Sequence, residues 1–194
     1  MQQNIFQSPA SQISPTVWQT AVNFLRLVLP TGVGFYSTSS VGANPGSWRD
    51  QPHTTVESMA QTVLSLSAQQ CNTYFAMSGF REGLHEEQKP NGKTATVFRT
   101  QANAIAQRCI WLDIDCGKAN SVYPNDVAAI NALTNFLKQT GLPLPVVVSS
   151  GHGLHLYWPF MESVSTTQWL QMAGMLKSCL LYTSPSPRDI SGSR

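Results

Sequence analysis

Residues 109–118 read CIWLDIDCGK, and they place two carboxylates, Asp113 and Asp115, one residue apart inside an otherwise apolar run. Burying either one without a partner would be expensive, so the fold must compensate them. In an extended chain successive side chains alternate faces. As a strand, this segment sends Ile110, Leu112 and Ile114 one way and Trp111, Asp113 and Asp115 the other. The two carboxylates then share a face, about 6–7 Å apart. They repel each other there unless a cation sits between them, and hard divalent ions such as Mg²⁺ choose oxygen ligands of this kind.

A second stretch, VVVSSGHGLHLYWPF at 146–160, reads as two strands joined by a tight Gly151-His152-Gly153 turn. Alternation puts Leu154, Leu156 and Trp158 in the core and His155 with Tyr157 on the opposite face. If this hairpin neighbours the acid strand, a paired acid and a histidine converge. Such geometry suits phosphoryl or nucleotidyl transfer, where a metal bridges phosphate oxygens and the protein positions and neutralises. An imidazole can hydrogen-bond phosphate, and a Gly-rich turn lets backbone approach a ligand closely. Each motif alone has a plainer reading: a solvated strand end, a surface histidine, a turn. Their conjunction, in this order and with a helix between them, is what argues for chemistry.

Around these motifs the chain alternates helices and strands. Helical spacing over residues 16–29 (Val17, Ala21, Phe24, Leu25, Val28) follows a Ser14-Pro15 start, and a second amphipathic helix is expected at about 54–69, with Val56, Met59, Ala60, Val63 and Leu64 on its stripe. VGFYST and NTYFAMSGF (72–80) read as strands. Residues 38–54 read as a loop, and 82–97, the densest charge cluster around a Pro-Asn-Gly turn, as a solvated and mobile connection. Pro124, Asn125 and Asp126 open a helix that stops at Gly141, and a last helix occupies about 164–178. This pattern is α/β (α+β), a mixed sheet with flanking helices.

The 194 residues, 42% hydrophobic and 11% charged, suit one sizeable core. A net charge of +2 neither demands nor excludes a nucleic-acid partner. The first twenty residues lack a basic segment followed by an apolar one, so no secretory signal is read. No apolar run reaches about 18 residues, Arg26 interrupting AVNFLRLVL, which excludes a membrane span, and no membrane partner is expected. A cytoplasmic protein with four reduced cysteines (Cys71, Cys109, Cys116, Cys179) is the expectation.

WLDID, followed after a helix by VVVSSGHGLHLYWPF, resembles the catalytic motifs of the archaeo-eukaryotic primase superfamily, especially phage and plasmid primase-polymerases. The resemblance spans roughly residues 70–178, with NTYFAMSGF similar to the family's strand before a variable loop. It implies an RRM-like, mixed-sheet catalytic domain that performs template-directed nucleotidyl transfer. By this resemblance Asp113 and Asp115 supply metal ligands for Mg²⁺ or Mn²⁺. Gly153, Leu154 and His155 match the small-x-His motif that contacts the incoming nucleoside triphosphate, with Ser149, Ser150 and Gly151 lining the turn. The DNA template would track across a basic face, for which Arg81, Arg99, Arg108 and Lys118 are candidates. Lys118 is the best of them for the nucleotide too, because it follows the acid strand closely. The resemblance leaves room for a replicative helicase, as a further domain or a separate protein.

The family's third acid, on a strand beyond the second motif, has no match: Glu162 sits too close, on the expected loop, and Asp189 lies in a tail. That tail, CLLYTSPSPRD at 179–189, breaks an amphipathic helix into a Ser/Pro string and matches, codon for codon, the translation of a transposase-type sequencing adapter. It is therefore set aside from fold reasoning. Residues 1–178 are expected to be a C-terminally incomplete catalytic domain, and the fragment alone to be inactive.

Two other functions compete. A rolling-circle initiator wants His-hydrophobic-His on one strand face, whereas His152 and His155 are three apart across a turn. A non-catalytic RRM-like module would read bases by stacking on sheet aromatics such as Trp111 and Tyr157, but carboxylates on that face repel phosphate. A zinc site of Cys109, Cys116, His152 and His155 lacks any C-x-x-C pair.

Overall fold

The computed structural model describes residues 14–41, 48–119 and 121–183. The chain divides into two compact units, residues 1–107 and 108–194, the boundary falling inside the long strand that carries the acid pair.

In the first unit, helix α1 (Pro15–Val28) starts at Ser14, whose hydroxyl accepts the Thr16 N–H, with Pro15 at the first position, where a missing N–H costs nothing. It stops at Leu29, extended because Pro30 follows. Its buried stripe is Val22, Leu25 and Val28, and Val17, expected on that stripe, is exposed. Helix α2 (Val56–Ala68) is capped by Thr55 and buries Val56, Met59 and Ala60. A three-stranded antiparallel sheet in the order β2-β1-β3 is formed by β1 (Tyr36–Val41), β2 (Trp48–His53) and β3 (Asn72–Phe75). One sheet face carries Tyr36, Thr38, His53 and Phe75 toward the helices, with Phe75 edge-on to Phe24 of α1.

Much of residues 38–54, read from sequence as a loop, is therefore strand, apart from 42–47, which lie outside the described residues. The miss has a physical cause: the buried part of β1 is polar. Ser37, Thr38 and Ser39 are almost fully buried, yet two of them are matched by side chains. Thr38 Oγ1 lies 2.8 Å from His53 Nε2, and the Ser39 hydroxyl donates to Asp50 at 2.6 Å. A buried polar strand with partners is stable, but it has no hydrophobic alternation to read.

The remaining strands of this unit also differ from expectation. NTYFAMSGF is two strands, β3 and β4 (Ser78–Phe80), and β4 pairs antiparallel with the start of β7 (Ala104–Asp115). The charged connection 82–97 holds an antiparallel hairpin, β5 (His85–Gln88) with β6 (Thr94–Val97), turning at Gly92. Asn103, buried, clamps the flanking chain by donating to the carbonyls of Glu82 and Phe98 and accepting from the Glu82 N–H. Backbone pairing needs no apolar side chains, so a solvated hairpin escapes a hydrophobic pattern.

The second unit follows its sequence reading more closely. Strands β7, β9 (Gly153–Ser165) and β8 (Val146–Ser149) lie side by side in that order, with β8 and β9 antiparallel. Helix α3 (Asp126–Thr140) is capped by Asn125 and closed by Gly141 in the left-handed conformation. Helix α4 (Thr166–Thr183) opens with a reciprocal Ser165–Gln168 pair of hydrogen bonds. Leu154, Leu156 and Trp158 of β9 bury against Ala129, Leu133 and Leu137 of α3 and Leu176 of α4, with Ile110, Leu112 and Ile114 of β7 beside them. The expected core parity holds on both strands. The last helix runs past 178 to Thr183, and Leu180 packs on this core; residues 184–194 lie outside the described residues. Among the described residues no helix is long and apolar enough to cross a membrane.

The α+β composition is as expected, and β1–β2, β1–β3, β4–β7, β5–β6 and β8–β9 all pair antiparallel. Among the described residues, the isolated bridge between Cys116 and Tyr123 is parallel.

His53 makes stability pH-dependent. Burial holds its imidazole below the ordinary value of 6.5, so between the two values the unfolded chain binds more protons than the folded one. Stability is full above about pH 6.5 and falls as pH drops through the folded value. Thermal melts should show the melting temperature falling from about pH 7.5 to about pH 5, and His53→Gln should flatten that slope. An unchanged slope in the variant would remove His53 as its source.

Candidate nucleotidyl-transfer site

The site is built where β7 ends beside the turn that starts β9. The Cys116 N–H donates to the His152 carbonyl at 3.0 Å. Counting three residues back along β7 and three forward along β9 brings Asp113 opposite His155. Their side chains meet, with His155 Nε2 3.5 Å from Asp113 Oδ1, and both remain around half exposed.

Gly153 makes this approach possible. Its φ is +151°, and a Cβ built there would stand 1.9 Å from the Ile114 carbonyl oxygen. Nothing but glycine lets the turn lie against the acid strand. Gly151, also at positive φ (+82°), faces open space. The turn's hydroxyl is committed internally: Ser150 Oγ donates to the Gly153 carbonyl and accepts from the His152 N–H. Ser149 pairs with Leu154 at the end of β8 and is exposed, as is His152.

Each of the two acids has a basic side chain beside it. Asp113 has His155, and Asp115 is ion-paired to Lys118 Nζ. Hydrogen bonding to Asp115, aided by the charges of Asp115 and Asp113, holds the Lys118 ammonium above its ordinary pKa. Tyr157, buried, sits behind the histidine with its hydroxyl 3.5 Å from Nδ1 and the rings edge to face. Burial first, then the neighbouring Cys109 and Asp113, pushes the phenol up to about 12. It therefore keeps its proton at neutral pH and can donate to Nδ1, leaving the N–H at Nε2, the nitrogen that faces Asp113. Sequence reading placed Tyr157 on this face but missed its burial and its contact with the ring.

The donor set tests whether a divalent ion fits. Among the described residues no three His, Cys, Asp or Glu side chains cluster as a metal cage. Two exposed carboxylates do, however, match Mg²⁺, which is commonly held by one or two carboxylates while keeping waters and substrate phosphates as its other ligands. Glu162, expected on a loop, is an exposed residue of β9. Zinc fits poorly, since burial pushes the Cys109 thiol up to about 12 and raises that of Cys116, so neither is a ready thiolate.

The other predicted cations are differently employed. Arg108 donates to the carbonyls of Phe160 and Met161. In the first unit, Arg99 is paired to Asp50 at 3.0 Å, and Arg81 is exposed. Nor are the sheet aromatics of the acid face free to stack on bases: Trp169 of α4 stacks on Trp111 with ring centres 5.0 Å apart and donates to the Cys109 carbonyl, while Tyr157 is buried.

The two turn glycines should separate in a urea titration. Gly151→Ala places a side chain at positive φ in open space, a cost of about 1–2 kcal/mol, whereas Gly153→Ala adds a backbone collision and should cost clearly more. Equal losses would mean the turn does not rest against Ile114.

No protein-family model and no curated protein matches this sequence. Among solved structures the chain is similar to the AEP domain of the primase-polymerase (PrimPol) of cyanophage S-2L, with a TM-score of 0.53 and 16% identity over 88% of this chain and 78% of that one. The chain has the fold of a primase-polymerase catalytic domain.

Proposed function

We propose that this chain is part of the catalytic domain of a DNA primase or primase-polymerase, an enzyme that performs metal-dependent, template-directed nucleotidyl transfer in the replication of a phage or plasmid. The observation that carries this reading is the convergence of Asp113 and His155, 3.5 Å apart on neighbouring strands, within a fold of that kind. Asp113 and Asp115 hold Mg²⁺ or Mn²⁺. Bound there with substrate, the ion would neutralise triphosphate charge and favour attack by a primer hydroxyl.

The chain's own residues do the positioning. His155 donates from Nε2 to a phosphate oxygen, with Tyr157 setting its tautomer. The exposed turn of Ser149, Gly151 and His152 leaves room for the triphosphate beside it. Lys118, resting on Asp115, is a cation within reach of the same phosphates. Arg81 is the best remaining candidate for the template strand, Arg99 and Arg108 being engaged elsewhere. With no third acid beside this pair among the described residues, the 194-residue chain binds nucleotide but does not turn it over by itself.

A non-catalytic binding module is the second reading, and a charge-neutralising variant separates the two. In calorimetry with a deoxynucleoside triphosphate and Mg²⁺, Asp113→Asn with Asp115→Asn should abolish metal-dependent binding, and His155→Ala should weaken it about 10–100-fold, the loss of a hydrogen bond to a charged group. Tighter oligonucleotide binding by the double variant, with no metal-dependent nucleotide binding in the parent, would favour the module instead.

A further inference from the structure

The face that carries the acid–histidine pair continues past His155 onto β8. Residues directly opposite each other in an antiparallel ladder share a sheet face, and the register of β8 on β9 sets Val148 opposite His155 and Val146 opposite Tyr157. On its other side His155 meets Asp113, so one row of side chains crosses three strands, from Asp113 through His155 to Val148. At the ordinary strand spacing that row is about 10 Å long. Val148 is exposed, and among the described residues β8 is the end strand of its sheet.

The two ends of the row differ in charge. The β7 end carries Asp113 and Asp115, with Lys118 on Asp115. Residues 139–161, which include all of β8, contain no Asp, Glu, Lys or Arg. Edge strands commonly carry charged side chains on their wet face, whereas this one sets a branched apolar side chain next to an imidazole. A nucleoside triphosphate has the same asymmetry. Its polyanionic end needs cations and hydrogen-bond donors, while the carbons of its sugar gain from apolar contact. Bound the other way round, it would press phosphate against Val148, which offers no hydrogen bond to replace water, and lay its sugar over two carboxylates.

We propose that Val148 is a substrate-contact residue of this site, packing against the sugar of the bound nucleotide while His155 faces its triphosphate. The inference rests on the functional reading above and adds where the uncharged half of the substrate lies, on the β8 side. An isopropyl group neither donates nor accepts a hydrogen bond, so the contact holds the nucleotide without selecting its base.

The test is calorimetry of the 194-residue chain with Mg²⁺ and three ligands: dTTP, dATP and inorganic tripolyphosphate, which has the phosphates without the nucleoside. Circular dichroism confirms that each variant folds. Val148→Ala should weaken dTTP and dATP alike, by about 3–10-fold, the share of the lost methyl groups, and leave tripolyphosphate within about twofold of the parent. Val148→Thr, which keeps the branched shape and the strand preference, should lose nucleotide affinity in the same selective way, and Val148→Ile should retain it. His155→Ala should weaken all three ligands. Folded Val148→Ala and Val148→Thr proteins with parental nucleotide affinity would overturn the contact, as would a parent that binds tripolyphosphate as tightly as dTTP. Equal losses for nucleotide and tripolyphosphate would also overturn it, since Val148 would then act only by aligning His155. In each of these cases metal-dependent binding by the parent leaves the functional reading standing. A parent that binds none of the three ligands would overturn that reading and the contact together.

Discussion

The second unit depends on one close approach between backbones, that of Gly153 to the Ile114 carbonyl. A side chain at this position would collide with the peptide it rests against, so the turn can lie on the acid strand only as glycine. The Cys116–His152 hydrogen bond locks the same contact from the next residue along. Together they align β7 with β9. Since a slip of one residue would move every side chain to the other sheet face, the meeting of Asp113 with His155 and the burial of Leu154, Leu156 and Trp158 are two results of a single alignment.

Burial on one face and exposure on the other follow from it. The apolar face of β7 and β9 is closed by α3 and α4, which gives the strands the rigidity a functional site needs. The polar face keeps its carboxylates in water, which removes the cost that two buried, unpaired acids would carry. Lys118 pairs with Asp115, and His155 lies beside Asp113. Tyr157 joins the two faces: it is buried like a core residue, yet its hydroxyl touches the imidazole.

The first unit solves a different problem. Its central strand is buried and polar, and it is held by matched partners, Thr38 with His53 and Ser39 with Asp50. The helix side of its sheet carries the apolar packing. The other side leaves Trp48 and Tyr74 exposed above strands whose only acid on that face is already paired. The two units thus carry chemically distinct surfaces, one built from carboxylates and imidazole and one from exposed aromatic rings.

Sequence alone determined what depends on local period and local caps. The alternation in WLDID and LHLYWPF assigned Asp113, Asp115 and His155 to one face, and the Asn125 and Gly141 signals bounded α3 at both ends. It caught only the start of β1, through VGFYST, and did not reveal β2 or the β5–β6 hairpin, because their stability comes from cross-strand backbone pairing and from side-chain partners such as Thr38 and His53, fifteen residues apart. Nor could it show that Trp169 covers Trp111, or that Trp48 finds Tyr74 across a strand that the pattern had left as loop. Those contacts join residues far apart in the chain, and only the tertiary structure decided them, since register and packing are set by partners that no local window contains.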